Sequence, residues 1–223
     1  MAFTGFPAEA ASFYEQLAAD NSRTWWLAHK SAYDDCVRGP MEALLEDLHA
    51  FGPFHVFRPN QDLRFAKNRP PYKDHIGAYG ESEGGAGFYV HYSAAGMLAG
   101  SGYYHMATDQ LERFRQAVDD DVLGPQIEAI VAGLTRDGFQ ASAIGSLKTA
   151  PRGYAKDHPR VELLRRKGLV ISREWPLAKW MQTKAVVGRV RDAWVAAVPM
   201  NEWLDAHVGP STLPPEEGPG WRR

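Results

Sequence analysis

Cysteine is almost absent from this chain, since Cys36 is the single cysteine among 223 residues. One thiol cannot form an intramolecular disulfide or a cysteine-based zinc cluster, which excludes the disulfide-stapled secreted domains and the zinc fingers. We interpret Cys36 as a small core residue of a helix rather than as a nucleophile. A reducing compartment agrees with this usage, and we expect a cytoplasmic protein.

Long apolar runs are also missing from the sequence. No window approaches the roughly 18 consecutive apolar residues of a membrane span, and Met1 to Ala11 lacks the basic and apolar regions of a signal peptide. Lysine and arginine number 25 against 27 aspartates and glutamates, a formal net charge of -2. We therefore expect no membrane partner and disfavour nucleic acid, while the oligomeric state is left open.

The common catalytic signatures are absent as well. The sequence contains neither the phosphate-binding G-x-x-x-x-G-K-[ST] nor the G-x-S-x-G nucleophile elbow, and no strand-linked G-x-G-x-x-G. This disfavours nucleoside triphosphate and α/β-hydrolase chemistry. His75, His91 and His105 lie on or beside predicted strands but show no ligand spacing, so we predict no metal site and no cofactor. Whether the protein is an enzyme stays open.

What is present indicates an α+β fold: one domain over residues 1–210, an antiparallel sheet between N-terminal and C-terminal helices, and a flexible tail over 211–223. Helical spacing predicts helices over residues 7–20, 22–33, 41–50, 108–119, 125–137, 159–167 and 177–198. Short aromatic or alternating segments predict strands over residues 54–58, 62–66, 76–79, 88–93, 97–105, 139–141, 146–148 and 169–173.

The segment from Arg58 to His75, RPNQDLRFAKNRPPYKDH, carries the clearest functional signal. It holds five basic residues against two aspartates. Pro70 and Pro71 restrict the backbone, so the residues around them are presented by a stiff segment. Guanidinium, ammonium and phenol groups are suited to an anion. We select Arg64, Lys67, Tyr72, Lys73 and His75 as ligand-binding candidates; the alternative is a solvated hairpin whose charges pair with nearby acids.

Two further segments contribute candidates. In GFYVHYSAAG, from Gly87 to Gly96, apolar and polar residues alternate, which predicts a strand with Tyr89 and His91 on its polar face. GSGYYH follows and adds Tyr104. In APRGYAKDHPRVELLRRKG, from Ala150 to Gly168, Arg152 lies in a turn and can fold back over the sheet. The alternatives are a hydrogen-bonded polar sheet face and a helix loaded with basic residues near its C-terminus.

These three segments together resemble the family known as domain of unknown function 2461. The resemblance rests on Asp62-Leu63-Arg64-Phe65-Ala66-Lys67, Pro71-Tyr72-Lys73, His75-Ile76-Gly77-Ala78, the glycine-aromatic block and PRGYxxDHPRVELLRRK. It runs from about Phe13 to Gly209 and includes Asn21 to Trp26. Ala66 stands where the family leads us to expect serine, and Asp74 where it leads us to expect a threonine-like residue. The family implies a fold but no established reaction.

Two hypotheses follow. In the first, a small anionic ligand binds in a basic and aromatic pocket on the sheet, where a histidine is available for proton transfer. In the second, the protein is a non-enzymatic interaction module whose basic strip contacts an acidic protein partner or RNA.

Overall fold

Helices open the chain, as their spacing predicted. In the computed structural model, which describes residues 2–62, 69–81 and 85–214, α1 spans Ala8–Ala19, α2 Arg23–Tyr33 and α3 Gly39–Asp47. The Ser22 hydroxyl accepts the Trp25 backbone N–H at 3.1 Å, which makes Ser22 the N-cap of α2. Between α2 and α3 the chain continues through a π-helical turn, Asp34–Arg38. Gly39-Pro40 therefore widens the helix instead of ending it, because proline cannot donate to the carbonyl four residues earlier.

The strands of the described residues form one antiparallel sheet, which confirms the predicted α+β class. They are β1 (Phe54–Val56), β2 (His75–Glu81), β3 (Gly87–Ser93), β4 (Gly96–Tyr103), β5 (Gln140–Ser142) and β6 (Leu169–Pro176). Their order is β1-β2-β3-β4-β6-β5. The predicted strand over 62–66 falls mostly on residues 63–68, which lie outside the described residues.

The two faces of β2 and β3 differ sharply in polarity. Ile76, Val90 and Tyr92 are buried on one face, as the alternation in β3 predicted. The other face carries His75, His91 and other half-buried residues. In the register between the strands, His75 pairs with Ser93, Gly77 with His91 and Tyr79 with Tyr89. Because side chains alternate, these residues share the polar face.

The chain divides into two compact units. The first comprises Met1–Ser82, Gly87–Gly100 and Ser172–Ala196. Its core is rich in aromatic rings: Trp194 is fully buried and lies 5.3 to 5.5 Å, between ring centroids, from Phe51, Phe54 and Phe88. The Trp194 indole N–H donates to the Tyr89 carbonyl at 3.2 Å, so the apolar side of β3 is held in place by packing and by a hydrogen bond.

The second unit comprises Glu83–Ala86, Ser101–Ile171 and Ala197–Arg223. Its helices are α4 (Thr108–Asp119), α5 (Leu123–Arg136) and α6 (Val161–Leu164). Phe114, Ile127 and Leu164 are fully buried there. The predicted helix over 159–167 is thus reduced to one turn, and of the predicted strand over 146–148 the structure has an isolated bridge between Ser146 and Arg166.

The last helix, α7, spans Ala185–His207 and begins later than predicted. Leu177 precedes it, and a 3-10 turn, Lys179–Gln182, contains Trp180 and Met181. The Thr183 hydroxyl accepts the Ala185 N–H at 3.2 Å, a cap that fixes where the helix starts. Within the described chain, no helix is both long enough and apolar enough to cross a membrane.

Candidate functional site

An aspartate and a histidine are paired at the start of β2. The Asp74 Oδ1 and His75 Nδ1 atoms are 2.7 Å apart. Because a carboxylate only accepts, the imidazole donates through Nδ1, and Nε2 of neutral His75 is left with its lone pair. This hydrogen bond also lowers the pKa of the Asp74 carboxyl. The carboxylate therefore orients the imidazole so that Nε2 of the neutral ring can accept a hydrogen bond or a proton.

A second histidine lies beside the first on the same face. The ring centroids of His75 and His91 are 5.0 Å apart, and the Tyr89 hydroxyl is 3.1 Å from His91 Nδ1. A phenol is the better donor and a neutral imidazole nitrogen the better acceptor, so Tyr89 donates to His91. His91 then carries its proton on Nε2. The two imidazoles thus have opposite hydrogen-bonding roles at Nε2: that of neutral His75 is an acceptor, and that of His91 is a donor.

Burial keeps His91 uncharged. Desolvation, assisted by the neighbouring His75, lowers the pKa of His91 from 6.5 to about 4, and the charge of Asp74 offsets this only in part. At neutral pH the His91 ring is a neutral hydrogen-bond donor rather than a cation. A neutral imidazole can donate a hydrogen bond to an oxygen atom without adding a positive charge beside His75.

Gly77 makes room for this arrangement. It lies in the same row of the sheet as His91. A Cβ at Gly77 would stand 2.9 Å from the Tyr89 hydroxyl oxygen and 3.4 Å from the Phe57 ring. The Tyr89 ring therefore lies across Gly77, and its hydroxyl reaches His91 because position 77 has no side chain.

Lys73 supplies the positive charge at the edge of this face. Its Nζ donates to the Arg58 carbonyl at 2.9 Å and lies 5.3 Å from the centroid of the Phe57 ring. Burial, followed by repulsion from Arg58, lowers the pKa of Lys73. A partly desolvated ammonium gains more from an anion than a fully hydrated one does. Phe57 in turn lies 6.3 Å from the Tyr89 ring, which connects the lysine to the histidine pair.

The loop that carries Lys73 and Asp74 is held in place by contacts with the N-terminal helical region. Asn21 makes two hydrogen bonds to the Tyr72 backbone, donating to its carbonyl and accepting from its N–H, each at 3.0 Å. The Tyr72 ring stacks on Trp26 with centroids 4.3 Å apart. Tyr72 is buried and acts as the anchor of the loop, so the next two residues are held where β2 begins.

Comparison of the sequence with models of known protein families shows which family the chain belongs to. A family model described as a conserved hypothetical protein, DUF2461, matches residues 9–203. The chain belongs to the DUF2461 family. No curated protein and no solved structure matches the chain.

This DUF2461 chain brings together part of the predicted site. Lys73, His75, Tyr89 and His91 lie along one face of the first unit, with Tyr72 anchoring the loop beside them. Arg64 and Lys67 lie outside the described residues. Tyr104 and Arg152 belong to the second unit, where Arg152 is exposed.

No group of three or more histidine, cysteine, aspartate or glutamate side chains that could hold a metal is found in residues 2–62, 69–81 and 85–214. Three residues of this candidate site were not selected from the sequence: Asp74, Gly77 and Asn21. Their signal lay in the quoted motifs, where Asp74 adjoins His75 and Gly77 follows two residues later.

Proposed function

We propose that the polar face of β2 and β3 binds a small anionic ligand and that His75 exchanges a proton with it. The observation that carries the proposal is the close pairing of two differently bonded imidazoles, His75 backed by Asp74 and His91 backed by Tyr89, beside a partly buried lysine. Clusters of titratable groups with shifted pKa values on a concave or covered surface are typical of functional sites.

The charge of the ligand is inferred from the cations. Lys73 lies beside the Phe57 ring and donates to the Arg58 carbonyl. The sequence of the same segment adds Arg64 and Lys67. Asp74 neutralises one positive charge, but its hydrogen-bond capacity is directed at His75. A ligand carrying a carboxylate or a phosphate would balance the remaining positive charge.

Proton transfer is inferred from the two tautomers. The lone pair on His75 Nε2 would take a proton from the bound ligand, and Asp74 would stabilise the imidazolium that results. The Nε2–H of His91 would donate a hydrogen bond to the ligand oxygen on which negative charge grows. We also propose a cytoplasmic location, on the ground that the chain contains one cysteine.

The first test is thermal unfolding of the wild-type protein in the presence of a panel of small carboxylates and phosphates. A compound at about 100 times its dissociation constant adds about 2.7 kcal/mol, which raises the midpoint by about 5 to 10 °C. Lys73→Ala should abolish the shift. Lys179→Ala, which removes an exposed lysine from the same unit, should leave it unchanged.

Calorimetry then separates binding from proton transfer. Titration of a compound found in this way, in two buffers of different ionisation enthalpy, measures the protons taken up on binding. His75→Gln should change that number while binding persists. If no compound shifts the midpoint, or if Lys73→Ala leaves the shift intact, the anion site is wrong, and salt-sensitive capture of RNA or an acidic protein would favour the interaction module.

A further inference from the structure

Strand β1 is the outermost strand of the sheet within the described residues. It pairs with β2 on one side, with Phe54 opposite Gly80, His55 opposite Tyr79 and Val56 opposite Ala78. An outermost strand has a row of backbone groups with no neighbouring strand to bond to. Whether a further strand can pair with β1 therefore depends on which of its backbone groups point outward and on what lies beside them.

The direction of the backbone groups follows from the pairing. The Phe57 N–H donates to the Gly77 carbonyl at 2.9 Å, so this opposed pair is a hydrogen-bonded one. Bonded and non-bonded pairs alternate along an antiparallel ladder. His55 is accordingly bonded to Tyr79, while Phe54 and Val56 direct their N–H and C=O groups away from β2. The outer edge offers two donors and two acceptors.

Side chains of β1 do not cover this edge. The Phe54 ring stacks against Trp194 in the core, with centroids 5.5 Å apart, and a Cβ at Gly80 would stand 2.7 Å from it. Val56 shares the core-facing side of β1 with Phe54, because its partner Ala78 is on the buried face of β2. Within the described residues, the side chains of Phe54 and Val56 therefore leave the backbone edge uncovered.

A groove of about 540 Å³ runs along this edge. Its walls are β1 and α3 with their flanking turns. The residues that line it are Arg38, Glu42, Leu45, Glu46, His49, Pro53, Phe54, His55 and Val56. A volume of this size lies within the range of binding sites for small ligands and short peptide segments.

The charge of the groove is slightly negative. Arg38 forms an ion pair with Glu42 through Nε and Oε1 at 2.8 Å. Glu46 is exposed, and its carboxylate has no ion pair within the described residues. One arginine against two glutamates leaves an excess of one negative charge.

We propose that this groove takes an extended segment of a partner protein that carries lysine or arginine and that adds to β1 as a further strand. Main-chain hydrogen bonds to Phe54 and Val56 would fix the segment, and Glu46 would select a basic side chain. Because β1 is only three residues long, the contact is a modest one. The proposal is independent of the anion site.

The test uses a fluorescent six-residue peptide of alternating threonine and lysine, measured by anisotropy at low salt. Two further peptides are N-methylated, one at its odd and one at its even positions. Strand addition uses the N–H groups of alternate residues only. One methylated peptide should lose affinity at least tenfold while the other binds as the parent does.

Charge selection is tested on the protein. Glu46→Gln should weaken binding of the parent peptide about two- to fivefold, an effect that shrinks as salt rises. Asp47→Asn, at the neighbouring exposed acid of α3 that does not line the groove, should leave affinity unchanged. The proposal fails if the parent peptide does not bind at about 1 mM, if both methylated peptides bind equally, or if sedimentation shows that a second copy of the chain occupies the edge.

Discussion

Among the described residues, each unit of the protein contains one aspartate–histidine pair, and the surroundings of the two pairs differ. In the first unit, Asp74 Oδ1 and His75 Nδ1 are 2.7 Å apart, and in the second, Asp119 Oδ1 and His158 Nε2 are 3.1 Å apart. The His75 side chain is 31% exposed and that of His158 is 13% exposed. A distance between a carboxylate and an imidazole thus does not by itself distinguish a chemical role from a structural one.

The difference lies in the other ring nitrogen. His158 Nδ1 accepts the Arg160 backbone N–H at 3.0 Å, so both nitrogens of His158 are used by the fold. Nε2 of His75 has no hydrogen-bond partner among the described residues. The His158 pair fixes a turn, whereas the His75 pair leaves one ring nitrogen unbonded within the described residues, as the proposed ligand site requires.

Arg160, whose backbone N–H bonds His158, also holds the end of α4. Of the changes considered, we expect its removal to have the largest effect on the free energy of unfolding. Its side chain is buried and donates to the carbonyls of Val118, Asp119 and Asp120, at 2.6, 3.1 and 3.3 Å, where α4 ends. Arg160→Ala leaves these carbonyls without their charged donor, so we expect a loss of about 3 kcal/mol in the free energy of unfolding. In thermal unfolding this is about 6 to 12 °C.

The matched control is Arg152→Ala in the same motif. Arg152 is exposed, and we expect its removal to change stability by no more than about 0.5 kcal/mol. Equal losses for Arg152→Ala and Arg160→Ala would contradict the structural role assigned to Arg160.

The surroundings of the first pair can be tested through the neighbouring His91, whose lowered pKa makes the stability of the fold depend on pH. Because the folded state holds the pKa of His91 at about 4, the unfolded state, near 6.5, binds the extra proton first as the pH falls. Stability is therefore full above about pH 6.5 and lost on acidification to about pH 4, by up to about 3 kcal/mol. Urea unfolding at several pH values in this window should show that His91→Gln flattens the slope relative to wild type.

His55→Gln serves as the control for this slope. His55 is an exposed histidine of β1 on the same face of the sheet. Its replacement controls for the loss of one imidazole from this face of the sheet. A His91→Gln protein that retains the full wild-type slope would show that the folded state does not lower the pKa of His91, and the proposed site would lose the burial that keeps this ring neutral.

The fold was largely predictable because its signals are local. Closely spaced strands without intervening helices indicated an antiparallel sheet, and the alternation from Phe88 to Ser93 assigned the two faces of β3. The predicted start of α7 was wrong, because an apolar stripe from Leu177 onward does not reveal that Thr183 caps a new helix. The π-helical turn before Pro40 was not predicted either, since a proline in the sequence normally indicates the end of a helix.

The site was predictable only in part because its contacts are distant. Tyr89 and His91 were selected from the polar face of a predicted strand, and His75 from the basic segment that precedes another. The strand register then brought the three together. Asn21 holds the Tyr72 backbone across 51 residues, a contact that no local pattern indicates. The role of Gly77 depends on a ring from the adjacent strand. Long-range pairing of this kind has to come from the structure.

The smallest expected effect compares the two histidines directly. His158→Gln should cost about 1 to 2 kcal/mol, because the Arg160 N–H and the Asp119 carboxylate lose a partner of fixed geometry. His75→Gln should change stability by no more than about 0.5 kcal/mol, because Asp74 is 86% exposed and water replaces the imidazole. Chemical denaturation of the two variants at neutral pH measures the difference. If His75→Gln were as costly as His158→Gln, both pairs would be structural, and the proton acceptor would have to be sought elsewhere on the sheet.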